Sequence, residues 1–216
     1  MLEETNTLME NYVPLDKERQ ILIKSRELMF RYGIKSLTMD DIAQHMGISK
    51  KTLYQVVKNK ADLVDKVVEM TIADQQSGIS CTQIDTDNAI DEMLKIYEQH
   101  AIMIKRINLA LTFELKKYFP ESWHKLENFR NDFIFKSVCQ NIDKGKANGL
   151  YRTDMDTIVI AKLYSARVLD IINPEMFPRE QFLPDLLLRE MFFYHLHGIT
   201  SAAGLKYMQK HIKPEF

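Results

Sequence analysis

Between Lys50 and Lys60 the sequence reads KKTLYQVVKNK, and its polar side chains form a chemically coherent set. Lys50, Lys51, Lys58 and Lys60 supply the charge that a phosphate or a guanine edge accepts. Gln55 can bond an adenine edge, Thr52 a base or a thymine methyl, and the Tyr54 hydroxyl a phosphate. The helical period sends Leu53, Val56 and Val57 to the opposite, apolar side. Nothing comparable points to bond-making chemistry: the chain carries no Gly-rich phosphate loop, no G-x-S-x-G elbow and no HExxH. His195 and His197 are two apart, so on a helix they diverge, and no metal site or cofactor is expected.

Those residues need a short helix held at a fixed angle, and the preceding residues provide one. Ser49 is a good N-cap for a helix through about Val57, and Gly47-Ile48-Ser49 is a three-residue turn. Before it, Thr38 heads TMDD, where its hydroxyl can cap the Asp41 amide and Asp41 can reach back. Ile42, Ala43, Ile48 and Leu53 supply apolar contacts for a close crossing, and Gly47 is free to take a left-handed conformation. Two helices joined this way form a helix-turn-helix, whose second helix can lie in a DNA major groove with Met39, Ser49 and the lysine face nearby. An earlier helix runs from Lys17 to a C-cap at Gly33, and Asn59 opens a longer one ending near Gln76.

Charge follows the same division. The whole chain has a formal net charge of -1, yet residues 17–60 hold ten Lys/Arg against four Asp/Glu, whereas residues 61–216 hold nineteen against twenty-two. The basic surface therefore sits where the helix-turn-helix sits. With 216 residues, 45% of them hydrophobic and 27% charged, the chain can bury a core without staples. Cys81 and Cys139 suggest neither a disulfide framework nor a zinc site. The acidic start MLEETNTLMENYV lacks a signal sequence's basic and apolar regions, and no stretch suits a membrane span, so a cytoplasmic protein is expected.

Beyond Gln76, the polar stretch SGISCTQIDTD from Ser77 to Asp87 reads as a linker. Helical patterns then cover Ala89 to Lys117 with a break near Asn108, Pro120 to Asn148, Met155 to Asn173 with Asp154 as cap, and Arg179 to about Lys210. Strand-like alternation is hard to find, so the predicted fold is all-α.

The run TMDDIAQHMGISKKTLY from Thr38 to Tyr54, followed by KADL from Lys60 to Leu63, resembles the signature of the TetR family of bacterial transcriptional repressors. That signature reads T-x3-I-A-x3-G-V/I-S-x3-L-Y and then K-x2-L. The direct resemblance covers about residues 17 to 75, and GKANGLYRTDMDTIVIAKL from Gly145 to Leu163 looks like the family's transition between two late helices. One departure is Tyr54-Gln55-Val56-Val57, where the family often has a His and an aromatic after Leu-Tyr.

The resemblance implies a helix-turn-helix domain over 17–60 after an N-terminal extension over 1–16. A connecting helix would follow over 61–76, then a helical ligand-binding and dimerisation domain over 77–216. It implies a homodimer, formed through the last two long helices, that presents two recognition helices to a palindromic operator in double-stranded DNA and is released by a small-molecule effector. A cavity among residues 89–175 would suit a hydrophobic or amphipathic molecule. Candidate lining residues are Tyr97, His100, Met103, Phe113, Trp123, Phe133, Tyr164 and Arg167. The helix from Asn59 to Gln76 is the expected lever between the domains. The competing expectation, motivated by the departure after Tyr54, is a helical ligand- or partner-binding protein whose helix-turn-helix no longer reads DNA.

Overall fold

A computed structural model describes residues 17–104, 108, 110–168, 170, 173, 175–178 and 180–212. The expected extension over 1–16 lies outside the described residues, as do Arg179 and several positions between 169 and 174. Among the described residues eleven α-helices follow one another: α1 Lys17–Tyr32, α2 Met39–Met46, α3 Lys50–Val56, α4 Lys60–Asp85, α5 Ala89–Ile104, α6 Ala110–Tyr118, α7 Pro120–Phe129, α8 Phe135–Ala147, α9 Thr157–Arg167, α10 Pro184–Ile199 and α11 Ala202–His211. A π-helical turn, Arg130–Ile134, joins α7 to α8. Among the described residues the only β feature is an isolated antiparallel bridge between Tyr151 and Thr200. No described helix is long and apolar enough to cross a membrane.

The first four helices turn their apolar stripes onto one cluster. Ile21, Leu22 and Met29 come from α1, Ile42 and Ala43 from α2, Leu53 from α3, and Leu63, Val64, Val67 and Val68 from α4. Leu115 of α6 enters the same cluster, and Trp123 and Leu126 of α7 pack against it. The N-terminal helices thus share their core with the second half of the chain. A second cluster joins Ile90 and Met93 of α5, Val138 and Ile142 of α8, Ala161 of α9, Phe192 and Leu196 of α10 and Met208 of α11.

The structure corrects the sequence reading in three places. Ser77 to Asp85 is not a linker but the last third of α4. Its Ile79 and Thr82 are buried, and the Thr82 hydroxyl donates to the Gly78 carbonyl at 2.9 Å, so polar composition there is absorbed by burial on one side only. The cap of α9 is Asp156, which accepts from the Val159 N–H at 2.9 Å, rather than Asp154. The predicted long terminal helix is broken at Thr200. There Arg152 N–H donates to the Ile199 carbonyl and Ser201 N–H to the Leu150 carbonyl, both at 2.9 Å. Gly204 lets that backbone approach, because a Cβ at this position would lie 2.1 Å from the Leu150 carbonyl oxygen.

Candidate nucleic-acid interface and effector cavity

Local hydrogen bonds fix the helix-turn-helix. Thr38 Oγ1 accepts from the Asp41 N–H at 3.1 Å, and Asp41 Oδ2 accepts from the Thr38 N–H at 2.8 Å, forming a capping box at the start of α2. The bonds from Thr38 hold the Asp41 carboxyl below the usual carboxylate range. At the other end Gly47 takes φ 64, and the Ile48 N–H returns to the Ala43 carbonyl at 3.0 Å. Ser49 Oγ then accepts from the Thr52 N–H at 3.0 Å and starts α3. Leu53 and Val57 are buried beneath it.

This scaffold leaves Lys50, Lys51, Gln55 and Lys58 exposed, with Tyr54 47% exposed among them. Positions 51, 54 and 55 follow the helical i, i+3, i+4 spacing, which makes them one stripe on α3, while Lys58 follows the helix beyond its extended cap at Val57. Lys50 pairs with Asp40, an exposed contact that costs little to exchange for another anion. Three other candidates are engaged within the protein, although Thr38 and Ser49 remain exposed and Met39 is half-buried. Thr38 and Ser49 have their hydroxyls committed to caps, and Met39 packs against the core. Lys60 is a bracing residue: its ammonium donates to the carbonyls of Leu37 and Lys35, and burial lowers its pKa.

A cavity of about 210 Å³ lies between α4, α5, α7, α8, α9 and α10, and also touches α1 and α6. Of the sequence candidates, Tyr97, His100, Met103, Trp123 and Tyr164 line it. Tyr97 stacks on Phe192 with centroids 4.6 Å apart. His100 Nδ1 lies 2.7 Å from the Ile96 carbonyl, which only accepts, so Nδ1 carries a proton. Burial pushes the Tyr164 hydroxyl up to about 12, and its ring lies 4.1 Å from that of His195, whose own pKa burial lowers to about 4.

The other three candidates lie elsewhere. Phe113 is on the outer face of α6 with the Lys117 ammonium over its ring, Phe133 stacks on Phe129 outside the lining, and Arg167 is exposed and pairs with Asp170 at 3.6 Å. Conversely, Gln75, Ile79 and Gln83 of α4 and Arg130 at the π turn line the cavity and were not singled out. The i, i+4 series from Val67 through Thr71, Gln75, Ile79 and Gln83 was the available signal, interrupted by reading Ser77 onward as linker.

The cavity wall is joined to the helix-turn-helix. Leu115 lines the cavity, and its neighbour Glu114 accepts from the N–H groups of Ile34 and Lys35 at 2.6 and 2.9 Å in the turn before α2. On the outer side, Lys125 of α7 pairs with Asp65 of α4 at 2.7 Å and Arg26 of α1 with Asp74 at 2.7 Å.

Fold and motif together define a helix-turn-helix regulator built entirely of helices. Residues 21–67 match the model of the bacterial regulatory proteins of the tetR family. An uncharacterised HTH-type transcriptional regulator of Bacillus subtilis, YvaF, is 27% identical over 191 residues, covering 85% of this chain and 96% of the relative. The HTH-type transcriptional activator FasR of Mycolicibacterium smegmatis is 34% identical over 80 residues, 36% of each chain. Reduced E. coli NemR has the same fold, with a TM-score of 0.68 at 15% identity over 87% of this chain and all of its own. Residues 21–67 thus carry the DNA-binding segment of the tetR-family regulators, in a chain whose fold is that of TetR-family proteins and whose curated relatives are HTH-type transcriptional regulators.

Proposed function

We propose that this regulator is a cytoplasmic repressor that binds a palindromic operator as a homodimer and leaves it when an apolar or amphipathic effector fills the cavity. Lys50, Lys51, Thr52, Tyr54, Gln55 and Lys58 would make the groove and phosphate contacts, while Thr38, Ser49 and Lys60 hold the backbone that presents them. The observation carrying the reading is the shared wall: α4 and α6 line the cavity and also hold the helix-turn-helix, through the common core and the Glu114 bonds. An effector that prefers one arrangement of that wall shifts the recognition helices with it; couplings of this kind are typically about 1–3 kcal/mol.

Dimerisation is supported by uncovered apolar residues on the last long helices. Ile158, Val159 and Leu163 of α9, with Leu183 before α10 and Leu186 and Tyr194 on it, are exposed, Tyr194 by 86%. Large apolar side chains left uncovered on two late helices fit an interface with a second copy.

The test is selection from fragmented genomic DNA at moderate salt, followed by a mobility-shift titration of the recovered site. Enrichment of one palindrome bound with dimer stoichiometry is the expected result. A folded dimer that enriches nothing would reject operator binding and favour the DNA-silent alternative.

A further inference from the structure

We propose that the effector is an amphipathic anion, a carboxylate-type head on an apolar body, whose head pairs with Arg130. The inference rests on the effector role proposed for the cavity.

Arg130 opens the π-helical turn between α7 and α8 and lines the cavity. Such turns widen the helical ladder and recur at functional positions. Its Nε is shut off from solvent with no hydrogen-bond partner, and no described carboxylate forms an ion pair with the guanidinium. Arg130 as a whole is half-buried, so its enclosed, unpartnered Nε is the edge that faces away from water, and a guanidinium edge left open beside an apolar void can take a counter-ion. The guanidinium fork matches a carboxylate with two parallel hydrogen bonds.

The rest of the wall narrows the ligand further. Glu92, the other charged group lining the cavity, is already neutralised by Lys144 at 3.1 Å. Among the described residues the wall therefore presents one charge without an ion-pair partner, and that charge is positive. Tyr164 stands on α9, which packs against the π turn, and its hydroxyl makes no hydrogen bond to a described residue. With its pKa pushed up to about 12 the hydroxyl keeps its proton, so it is a second donor for an anion. Most of the remaining lining is aliphatic, thioether or aromatic, including Met93, Met103 and Met191, which adapt to an apolar body of irregular shape. A neutral ligand would leave the guanidinium unpaired, and a cation would be repelled by it.

The experiment uses the full chain and straight-chain carboxylates from octanoate to hexadecanoate, each paired with the primary alcohol of the same length, below micelle concentrations. Trp123 is the single tryptophan and lines the cavity, so its fluorescence reports occupancy. The best carboxylate is expected to bind at least about tenfold more tightly than its alcohol, a ratio set by the charge-assisted pair. Arg130→Met should bring acid and alcohol to the same affinity, and Arg130→Lys should keep part of the preference.

Equal binding of acid and alcohol by the unmodified protein would overturn the anion while leaving the effector cavity standing. Retention of the acid preference by a folded Arg130→Met variant would overturn the role of Arg130. Binding of neither series would remove the cavity reading together with the inference. Should Arg130→Met fail to fold, the acid-to-alcohol ratio of the unmodified protein decides the charge, and the Arg130→Lys ratio decides the residue.

Discussion

In the N-terminal half, α2, α3 and α4 each begin at a side chain that bonds an N–H three positions on: Thr38, Ser49 and Asn59. In the C-terminal half, α9 and α11 keep such caps at Asp156 and Ser201, but α7 and α10 begin at Phe119 and Leu183 with no side-chain cap, and α10 ends where a distant backbone segment bridges Thr200. The first half is positioned by bonds between near neighbours. The second relies more on packing across long sequence separations, around a space that packing leaves open. A domain that must hold a recognition helix at one angle needs local closure, whereas one that must accept a guest needs slack.

The largest effect expected from this contrast concerns the two cores. Leu53→Ala empties a fully buried site and should cost about 2–5 kcal/mol in urea denaturation. Met191→Ala only enlarges an existing void and should cost well under that. Equal losses would mean that the two halves are packed alike.

Acid should act on the C-terminal half. Burial lowers the pKa of His195 to about 4 from the usual 6.5, so below 6.5 the unfolded chain takes up a proton that the folded chain refuses. Stability is then lost as pH falls from about 6.5 to about 4, by roughly 3 kcal/mol at the lower end. Melting curves across that window should steepen this trend for the native chain and flatten it for His195→Leu. A slope unaltered by the substitution would assign the acid sensitivity to other groups.

Glu114→Ala strips the acceptor from two N–H groups in the turn before α2, an expected loss of about 1–3 kcal/mol in melting experiments. It should also reduce effector-driven release from DNA more than it reduces effector affinity. Thr38→Ala removes a purely local cap at about 1 kcal/mol, and Thr38→Ser should restore most of it. The smallest effect on stability belongs to Lys51→Ala combined with Lys58→Ala, since both side chains are exposed. Their removal should flatten the log–log salt dependence of operator binding by about 2. An unchanged slope would take them out of the phosphate-contacting surface.

The same contrast explains what could be read from the sequence. Thr38, Gly47, Ser49 and Asn59 announce their elements because the bonds they make span three or four residues. Lys60 was assigned to the charged surface because sequence cannot tell an ammonium turned toward the Leu37 carbonyl from one turned to solvent. Ser77 to Asp85 misled because its polar composition resembles a loop until the burial of Ile79 and Thr82 is known. Five of eight predicted cavity residues line the space. Phe113, Phe133 and Arg167 lie outside it because a helix's inward face is chosen by its neighbours. Arg130 passed unnoticed because an arginine on a helix ordinarily faces water, and only the enclosed Nε distinguishes it.

The continuity of α4 also has a dimensional consequence. Its 26 residues form one unbroken rod, about 39 Å long at the helical rise per residue. A tilt on the order of 5° about its far end displaces the end nearest α3 by about 3 Å, close to one base-pair step along a DNA strand. Under the proposed mechanism, a rearrangement at the cavity too small to disturb its packing would become a register error of one base at the recognition helix.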